Sequence, residues 1–183
     1  MNYLHKLNMN YLLERTMICK IIIFLTVIFS FNVYAACDDQ PANEVDWNKC
    51  NFAENQEWSG ISLAGAQMEA VNLSFSNIEK SQINNANMIS GNFVFTNFSN
   101  SNLFSSNMQY ANCNNANFDN SNLAKVNFEG ANLFMASFKG ANLFEVNLTG
   151  ANITNAVFEE ANLSNVIWVD GKKCALGSVG QCD

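Results

Sequence analysis

The feature that most constrains the fold is a repeat of five residues that runs from Ile61 to Asp170 without an insertion and comprises 22 blocks. The third position of every block is Leu, Met, Ile, Phe, Cys or Trp. The first position is small or β-branched in nearly every block, and 16 of the 22 second positions are Asn. A fixed short period indicates a solenoid, in which each repeat buries its apolar face by stacking on its neighbours.

A period of five fits neither the helical period of 3.6 nor the two-residue alternation of a strand. It fits a four-sided coil, in which four blocks complete one turn and residues 20 apart in the sequence stack at roughly 4.8 Å. We therefore predict four sides, each with its own column of block centres. The centres are Leu63, Ile83, Leu103, Leu123, Leu143 and Leu163 on side one; Met68, Met88, Met108, Phe128, Leu148 and Trp168 on side two; Leu73, Phe93, Cys113, Leu133 and Ile153 on side three; and Ile78, Phe98, Phe118, Phe138 and Phe158 on side four.

The predicted columns differ in character, as a register of four blocks per coil requires. On side four, Phe98, Phe118, Phe138 and Phe158 follow one another, and we expect them to form a structural core column of stacked rings. The small first residues suit a cramped inward position at a corner. The second-position Asn can bond its own backbone and the equivalent Asn one coil away, so we interpret its abundance as a structural requirement.

The block pattern is Ala, Ser, Val or Gly, then Asn, then Leu, Phe or Met, then two variable residues. This pattern resembles that of the pentapeptide-repeat family and covers 110 of 183 residues. The resemblance implies an all-β solenoid, a right-handed quadrilateral β-helix, here of about five and a half coils with disulfide-bonded terminal caps. The second-position Asn or Asp of the family is replaced at six positions, which are Ser62, Gln67, Gln82, Ser137, Val157 and Ile167.

Residues 1–35 have the pattern of a secretory signal peptide. Residues 1–20 are basic and precede the uncharged apolar run from Ile21 to Phe31, which is too short for a membrane span. Small residues at Val33 and Ala35 predict cleavage after Ala35 and a periplasmic or secreted location. A core helix or a membrane anchor is the alternative. Translation starts at Met1, Met9 or Met17.

A second route of processing is lipidation at Cys37. The residues Tyr34, Ala35, Ala36 and Cys37 resemble a bacterial lipobox, although Tyr stands where Leu, Val or Ile is expected. A lipoprotein anchored at Cys37 is therefore the alternative to a free exported protein, and membrane contact is expected only in that case.

Five cysteines follow the predicted leader. In an oxidising compartment we expect the four flanking ones to pair locally, as Cys37 with Cys50 and Cys174 with Cys182. Cys113 occupies a block centre and is interpreted as a small buried hydrophobe. Lipidation of Cys37 would leave Cys50 without a partner, which counts against it.

Terminal caps are expected because the end of a stack is an open edge. We assign residues 36–60 to an N-terminal cap with aromatic bulk at Trp47, Phe52 and Trp58. The five residues from Cys50 also read as a block, one residue out of phase with the array. Residues 61–170 form the predicted β-helix, and 171–183 form a capping tail that we expect to fold back over three apolar residues of the last coil, namely Val157, Ile167 and Trp168.

Composition limits the chemistry sharply. The only His is His5 and the only Arg is Arg15, so both lie in the leader. This excludes imidazole catalysis, Ser-His-Asp and Cys-His nucleophilic sites and His-based zinc from the remaining chain. After Ala35 there are 15 Asp and Glu against 6 Lys, a net charge of −9 that opposes direct nucleic-acid binding. We expect no catalytic residue, no metal and no cofactor, and hence no enzyme.

Side three has a group of apolar residues at positions that we expect to face solvent. The outward positions after the block centres include Phe75, Val94, Phe95, Phe134 and Met135, which form a candidate interaction patch. Exposed apolar patches mark contact with a partner or a membrane more often than chance. The alternative interpretation is that these side chains shield the backbone of a rigid rod.

Four functions remain after these exclusions. The first is an exported, non-enzymatic scaffold or protein-interaction module with an unidentified protein partner, monomeric or dimeric through a coil end. The second follows from the family resemblance, since some pentapeptide-repeat proteins mimic duplex DNA and protect DNA gyrase. The third is an effector delivered into another cell. The fourth is a small envelope enzyme, which the absence of His and Arg after the leader disfavours.

Overall fold

The structure, a computed structural model, describes residues 37–52 and 55–183. The predicted leader and its cleavage site lie outside these residues. Within the described residues, the backbone pairs through isolated bridges one residue wide, and no helix or longer strand forms. The reason is that the last two residues of each block form a turn, which leaves only the second residue free to make a bridge.

A tight turn closes each block. The N–H of Ala66, the first residue of its block, donates to the carbonyl of the preceding block centre Leu63 at 3.1 Å. The fifth residue lies in the left-handed region, as at Lys80 with φ 59°. A positive φ at the third residue of a hydrogen-bonded turn is the geometry of a type II turn. The chain therefore changes direction after every block centre.

The predicted register of four blocks per coil is confirmed. On side one, parallel bridges join Asn102 to Asn122, Asn122 to Asn142 and Asn142 to Asn162. Corresponding bridges run along the other three sides at the same spacing. Each residue therefore stacks on the equivalent residue one coil further along, and the chain follows four sides in turn.

The block centres fill the core. All centres from Leu63 to Leu148 are buried, as are Phe158 and Leu163, whereas Ile153 and Trp168 in the last coil are half-buried. Burial of each large apolar side chain stabilises the fold by about 1.5 to 3 kcal/mol. The core is thus continuous along the array and weakens only at its final coil.

The predicted ring column is present on side four. Ring centroids are 5.1 Å apart between Phe98 and Phe118, 5.2 Å between Phe118 and Phe138, and 5.1 Å between Phe138 and Phe158. The planes in each pair lie within 5° of parallel. Phe128 of side two packs edge-on against this column, with its centroid 5.7 Å from that of Phe118.

The first residues of the blocks line the inner corners. Several are Ser or Thr, and their buried hydroxyls donate to carbonyls of the preceding coil: Ser106 to Ile83 at 2.6 Å and Thr96 to Leu73 at 2.8 Å. A buried hydroxyl with a partner avoids the cost of an unsatisfied polar group. Ser can therefore replace the small apolar residue of the family pattern.

The second-position asparagines form ladders along the outside of the rod. The side-chain amide of Asn122 donates to Asn102 Oδ1 at 3.0 Å, and its own Oδ1 accepts from Asn142 at 3.2 Å and from the Ala124 N–H at 3.3 Å. The interpretation of Asn as a structural residue thus agrees with its contacts.

The assignment of all of residues 36–60 to a separate cap was wrong. Asp46 bridges Gln67, Asn51 bridges Asn72 and Glu57 bridges Asn77, so repeat pairing begins at Asp46 rather than at Ile61. The bridging positions 51 and 57 are six residues apart instead of five, and this one extra residue shifts the earlier blocks out of phase.

The aromatic bulk at this end has the predicted location. Trp47, Phe52 and Trp58 are the centres of the added blocks, and their rings pack together with centroids 4.7 to 5.1 Å apart. Trp47 is fully buried, whereas Phe52 and Trp58 are half-buried. Large rings fill the first coil, beneath which no further coil lies within the described residues.

Both predicted disulfides are formed, Cys37 with Cys50 and Cys174 with Cys182. Beyond Gly171 the tail turns back along the last coil, where Lys173 forms an antiparallel bridge with Ile167 and Val179 forms one with Asn162. The tail therefore covers sides one and two. It leaves Val157 on side four 41% exposed and Ile167 on side two 38% exposed, so the expectation that it would cover these two residues was wrong, whereas Trp168 is half-buried.

Candidate interaction surface

Between Ile61 and Asp170, side three is the one side of the repeat array without a charged residue. Its five blocks, residues 71–75, 91–95, 111–115, 131–135 and 151–155, contain no Asp, Glu, Lys or Arg. Each of the other three sides carries acidic residues in its outward positions, such as Glu145 on side one, Glu129 on side two and Asp119 on side four. An acidic rod therefore presents one neutral face.

Two aromatic rings stand exposed on this neutral face. Phe75 and Phe95 stack with centroids 5.3 Å apart and planes 17° from parallel, and they are 46% and 52% exposed. Both occupy the fifth position of their blocks with φ of 61° and 56°. Bulky side chains rarely adopt this left-handed conformation, which Asn and Gly adopt most readily. The chain thus places large apolar groups where its turn geometry least favours them.

The rest of the predicted patch is divided into two clusters. Val94 is half-buried and directly precedes Phe95, whereas Phe134 and Met135 lie two coils further along the same side. Met135 is 49% exposed and Phe134 is half-buried. The intervening coil carries Asn114 and Asn115 at the equivalent positions. We call the first cluster, formed by Phe75, Val94 and Phe95, the aromatic pair site.

An asparagine ladder runs beside the aromatic pair site. Asn72 donates its side-chain amide to Asn51 at 2.7 Å, and Asn92 donates to Asn72 at 2.8 Å. The Oδ1 of Asn92 is buried and has no hydrogen-bond partner within the described residues. The ladder holds the backbone of the coils in register, so the aromatic pair site sits on a rigid support.

Exposed aromatic residues on other sides have local intramolecular contacts. The Lys125 ammonium lies 5.9 Å from the centroid of the Phe104 ring on side one. Tyr110 on side two, 61% exposed, covers Gly130, where an added Cβ would lie 2.6 Å from the tyrosine ring. Gly130 thus leaves room for that ring. Phe104 and Tyr110 are therefore exposed aromatic residues with which the aromatic pair site can be compared.

The described residues provide little material for chemistry. Cys113 is fully buried, and desolvation raises the pKa of its thiol well above the ordinary value, so the reactive thiolate is disfavoured. No group of three or more His, Cys, Asp or Glu within residues 37–52 and 55–183 could hold a metal ion. Likewise, none of the described part of the chain forms a helix long and apolar enough to cross a membrane.

Lysines neutralise part of the acidic surface. Lys139 lies 2.9 Å from Glu159, Lys80 3.0 Å from Glu79 and Lys125 3.8 Å from Glu145. The hydrogen bond from Lys139 to Glu159 raises the pKa of the lysine, so the lysine stays charged at neutral pH. These exposed pairs contribute little stability. They do interrupt the rows of negative charge along sides one and four.

The coil register, the asparagine ladders and the turn at every fifth residue define a repeat protein built from stacked five-residue blocks. The family model of pentapeptide repeats matches eight copies that together span residues 66–167. The chain therefore belongs to the pentapeptide-repeat family, whose members have the right-handed quadrilateral β-helix that the sequence resemblance implied.

Several solved structures of pentapeptide repeat proteins are similar to this chain. HetL, which is involved in heterocyst differentiation regulation in the cyanobacterium Nostoc sp. strain PCC 7120, is 21% identical over 72% of this chain and 69% of its own, with a TM-score of 0.33. Rfr23 from the cyanobacterium Cyanothece 51142 is 19% identical over 67% of this chain and 90% of its own, with a TM-score of 0.31.

QnrB1, a plasmid-mediated fluoroquinolone resistance protein, is 15% identical over 69% of this chain and 77% of its own, with a TM-score of 0.43. No curated protein matches the chain. At these identities and TM-scores, the likenesses to solved structures carry no conclusion about function.

Proposed function

We propose that this protein is an exported, non-enzymatic β-helical scaffold that binds a protein partner through the aromatic pair site on side three. The observation that carries the proposal is the stack of Phe75 and Phe95, which is about half exposed on the side that has no charged residue between Ile61 and Asp170. Aromatic side chains are enriched at the centres of protein interfaces, where charged residues are depleted.

The backbone conformation of these rings supports a role beyond folding. Left-handed geometry costs an ordinary residue about 1 to 2 kcal/mol, and only Gly or Asn avoids much of it. At the equivalent position of side three, the chain uses Asn115 and Asn155 in other coils. Phe at positions 75 and 95 therefore costs more conformational free energy than the Asn that other coils of the same side use. This extra cost favours a role of the two rings in binding.

Export is supported by the pairing of cysteines. Four of the five cysteines after the leader form disulfides, and such bonds persist in oxidising compartments such as the bacterial periplasm. Cys37 is paired with Cys50, which favours cleavage after Ala35 over a lipid anchor on Cys37. The protein is periplasmic or secreted on this proposal. Delivery into another cell would be a later step of the same route.

The charge pattern weighs against the gyrase alternative. A protein that mimics DNA needs rows of unneutralised carboxylates in place of the phosphates. DNA-binding enzymes contact the phosphates of the duplex with Lys and Arg. Here Glu79, Glu145 and Glu159 each form an ion pair with a lysine. Side three has no charged residue between Ile61 and Asp170.

Photo-crosslinking in living cells tests the binding surface. A photoreactive phenylalanine analogue at Phe95 is expected to give a discrete adduct of higher mass in the envelope fraction. The same group at Tyr110, which is on side two and even more exposed, is the matched control and should give none. Equal adducts at both positions, or none at Phe95, would contradict a binding role for side three.

Folding of the patch variant separates binding from structure. The triple change of Phe75, Phe95 and Phe134 to Ser is expected to leave the melting temperature nearly unchanged, while the partner that crosslinks at Phe95 no longer co-purifies. If the triple variant instead melts the coil, the three residues shield the backbone and are structural.

A further inference from the structure

Five segments of the chain have the acceptor motif for N-linked glycans, Asn-x-Ser/Thr, in which x is any residue except Pro. Their asparagines all occupy the second position of a block and are Asn72, Asn97, Asn147, Asn152 and Asn162. In an exported protein this motif is a site of glycosylation where it is accessible at the surface. Two groups must be accessible, the side-chain Nδ2 that receives the sugar and the hydroxyl that completes the motif.

Four of the five asparagines use Nδ2 to join neighbouring coils. The Nδ2 of Asn162 donates to Asn142 Oδ1 at 3.0 Å. Those of Asn72, Asn97 and Asn152 donate to the side chain of the equivalent residue in the preceding coil, at 2.7 to 3.2 Å. A sugar on any of these nitrogens would have to fit within a contact between coils.

Asn147 on side two is the exception. Its Nδ2 has no hydrogen-bond partner within the described residues and is not buried, so solvent reaches it. Its Oδ1 accepts from the N–H of Thr149 at 3.0 Å and from the Thr149 hydroxyl at 2.6 Å. These two bonds fix the side-chain amide with Oδ1 towards the turn, so Nδ2 points away from the turn.

The hydroxyls of the five motifs also differ in accessibility. Ser74, Ser99 and Ser164 are buried, whereas Thr149 is half-buried and Thr154 is exposed. The Ser164 hydroxyl also accepts a backbone N–H of the tail at 3.0 Å. Among these five motifs, all of which lie in the described residues, only that of Asn147 combines a free Nδ2 with an accessible hydroxyl.

We propose that Asn147 is a site of N-linked glycosylation. The donor is an oligosaccharide on a polyprenyl diphosphate, and a membrane-bound oligosaccharyltransferase catalyses the transfer. Asn147 Nδ2 forms a C–N bond to the anomeric carbon of the first sugar and loses one proton. The C–O bond to the diphosphate breaks, and its electron pair leaves with the diphosphate. The inference rests on the proposed export, because the transfer takes place on the far side of the membrane that the chain crosses.

The surroundings of Asn147 suit a bulky hydrophilic group. Ile167, which stacks on Asn147 in the last coil, is an apolar residue that is 38% exposed. A glycan on Asn147 would cover this side chain. Because the glycan would project from side two, it would leave the aromatic pair site on side three accessible.

Peptide mass spectrometry of the natively expressed protein tests the proposal. Trypsin cleaves after Lys139 and Lys172, and the peptide between them contains Asn147, Asn152 and Asn162. Fragmentation that preserves the bond to the sugar is expected to locate a glycan on Asn147 and none on the other two asparagines. Asn147→Gln should remove the added mass completely.

The two proposals fail in different ways. A chain that begins at Ala36 and has an unmodified Asn147 would overturn the glycosylation and leave the proposed export intact. An uncleaved chain in the cytoplasm would overturn both. Asn147→Gln should not change the crosslinked adduct at Phe95, so loss of that adduct in the wild type bears on the protein partner alone.

Thr149→Ser provides a matched comparison within one chain. It makes the segment around Asn147 match that around Asn162 at every polar position, since both then read Glu-x-Asn-Leu-Ser. The glycan should remain on Asn147 and stay absent from Asn162, because the structure rather than the motif selects the site. Equal modification of the two asparagines would contradict this selection.

Thr149→Ala tests the motif itself. The variant should fold, because Ala124 already occupies the fourth position of another block, and its melting temperature should equal that of an unglycosylated Asn147→Gln variant. It keeps the Asn147 side chain but lacks the hydroxyl, so we expect the added mass to be lost. Retention of the added mass in Thr149→Ala would show that the modification is not N-linked glycosylation at this motif.

Discussion

Replacement of Phe118 by Asp is expected to unfold the repeat array. The ring is fully buried and lies between Phe98 and Phe138, with centroids 5.1 and 5.2 Å away. Loss of a buried ring alone costs about 3 to 5 kcal/mol. A carboxylate in its place must also be desolvated without a hydrogen-bond donor in the ring column. The sum approaches the roughly 5 to 15 kcal/mol that stabilise a typical domain.

Phe118→Leu provides the control for this change. It keeps an apolar side chain in the column, so we expect a folded protein with a lower melting temperature. Thermal unfolding followed by circular dichroism distinguishes the two variants. A Phe118→Asp variant with the cooperative melt of the wild type would contradict the four-sided register, because position 118 would then have to face solvent.

Loss of the two disulfides is expected to have the second largest effect. The bonds close loops with sequence separations of 13 and 8 residues. In the chain-entropy model, each is worth roughly 2 to 3 kcal/mol of unfolding free energy. The bond at Cys50 also fixes the segment before Trp47, and the bond at Cys174 fixes the tail beside Trp168. Each double change to Ala should therefore lower the urea midpoint.

A reductant provides an independent comparison for the disulfide variants. Dithiothreitol should lower the urea midpoint of the wild type. It should not change the midpoint of a variant in which all four paired cysteines are replaced, because the remaining Cys113 forms no disulfide. An unchanged midpoint of the reduced wild type would show that the terminal segments do not contribute to stability.

The register could be predicted from the sequence because equivalent residues in successive coils share one environment. A column such as Phe98 to Phe158 repeats the same large residue at a spacing of 20, which a period of five alone does not require. The disulfide pairs could also be predicted from the sequence, because four cysteines flank the array in two close pairs. Both signals depend on local spacing along the chain.

The start of the array could not be found in the same way. One extra residue between Asn51 and Glu57 shifts the phase, and a search at fixed spacing therefore stops at Ile61. The Trp47 block has no Asn at its second position and a ring larger than almost every other block centre. Only the pairing of Asp46 with Gln67 reveals it.

The candidate surface was predicted in part. The four-block register predicts that Phe75 and Phe95 stack on each other. It does not predict how exposed the two rings are, because their exposure depends on how far each turn projects from the coil. Side three divides into two clusters because Asn114 and Asn115 occupy the coil between them. The route of the tail over sides one and two could not be predicted, because no periodic pattern extends beyond Asp170.

The most direct test of the exported, doubly bonded rod is the intact mass of the natively expressed protein from fractionated cells, with and without reduction and thiol alkylation. We predict a chain that begins at Ala36 and is found in the envelope or medium. Its single thiol, Cys113, should react only after denaturation, and four more thiols should react after reduction. An uncleaved chain in the cytoplasm with every thiol reduced would contradict the account and favour the gyrase alternative.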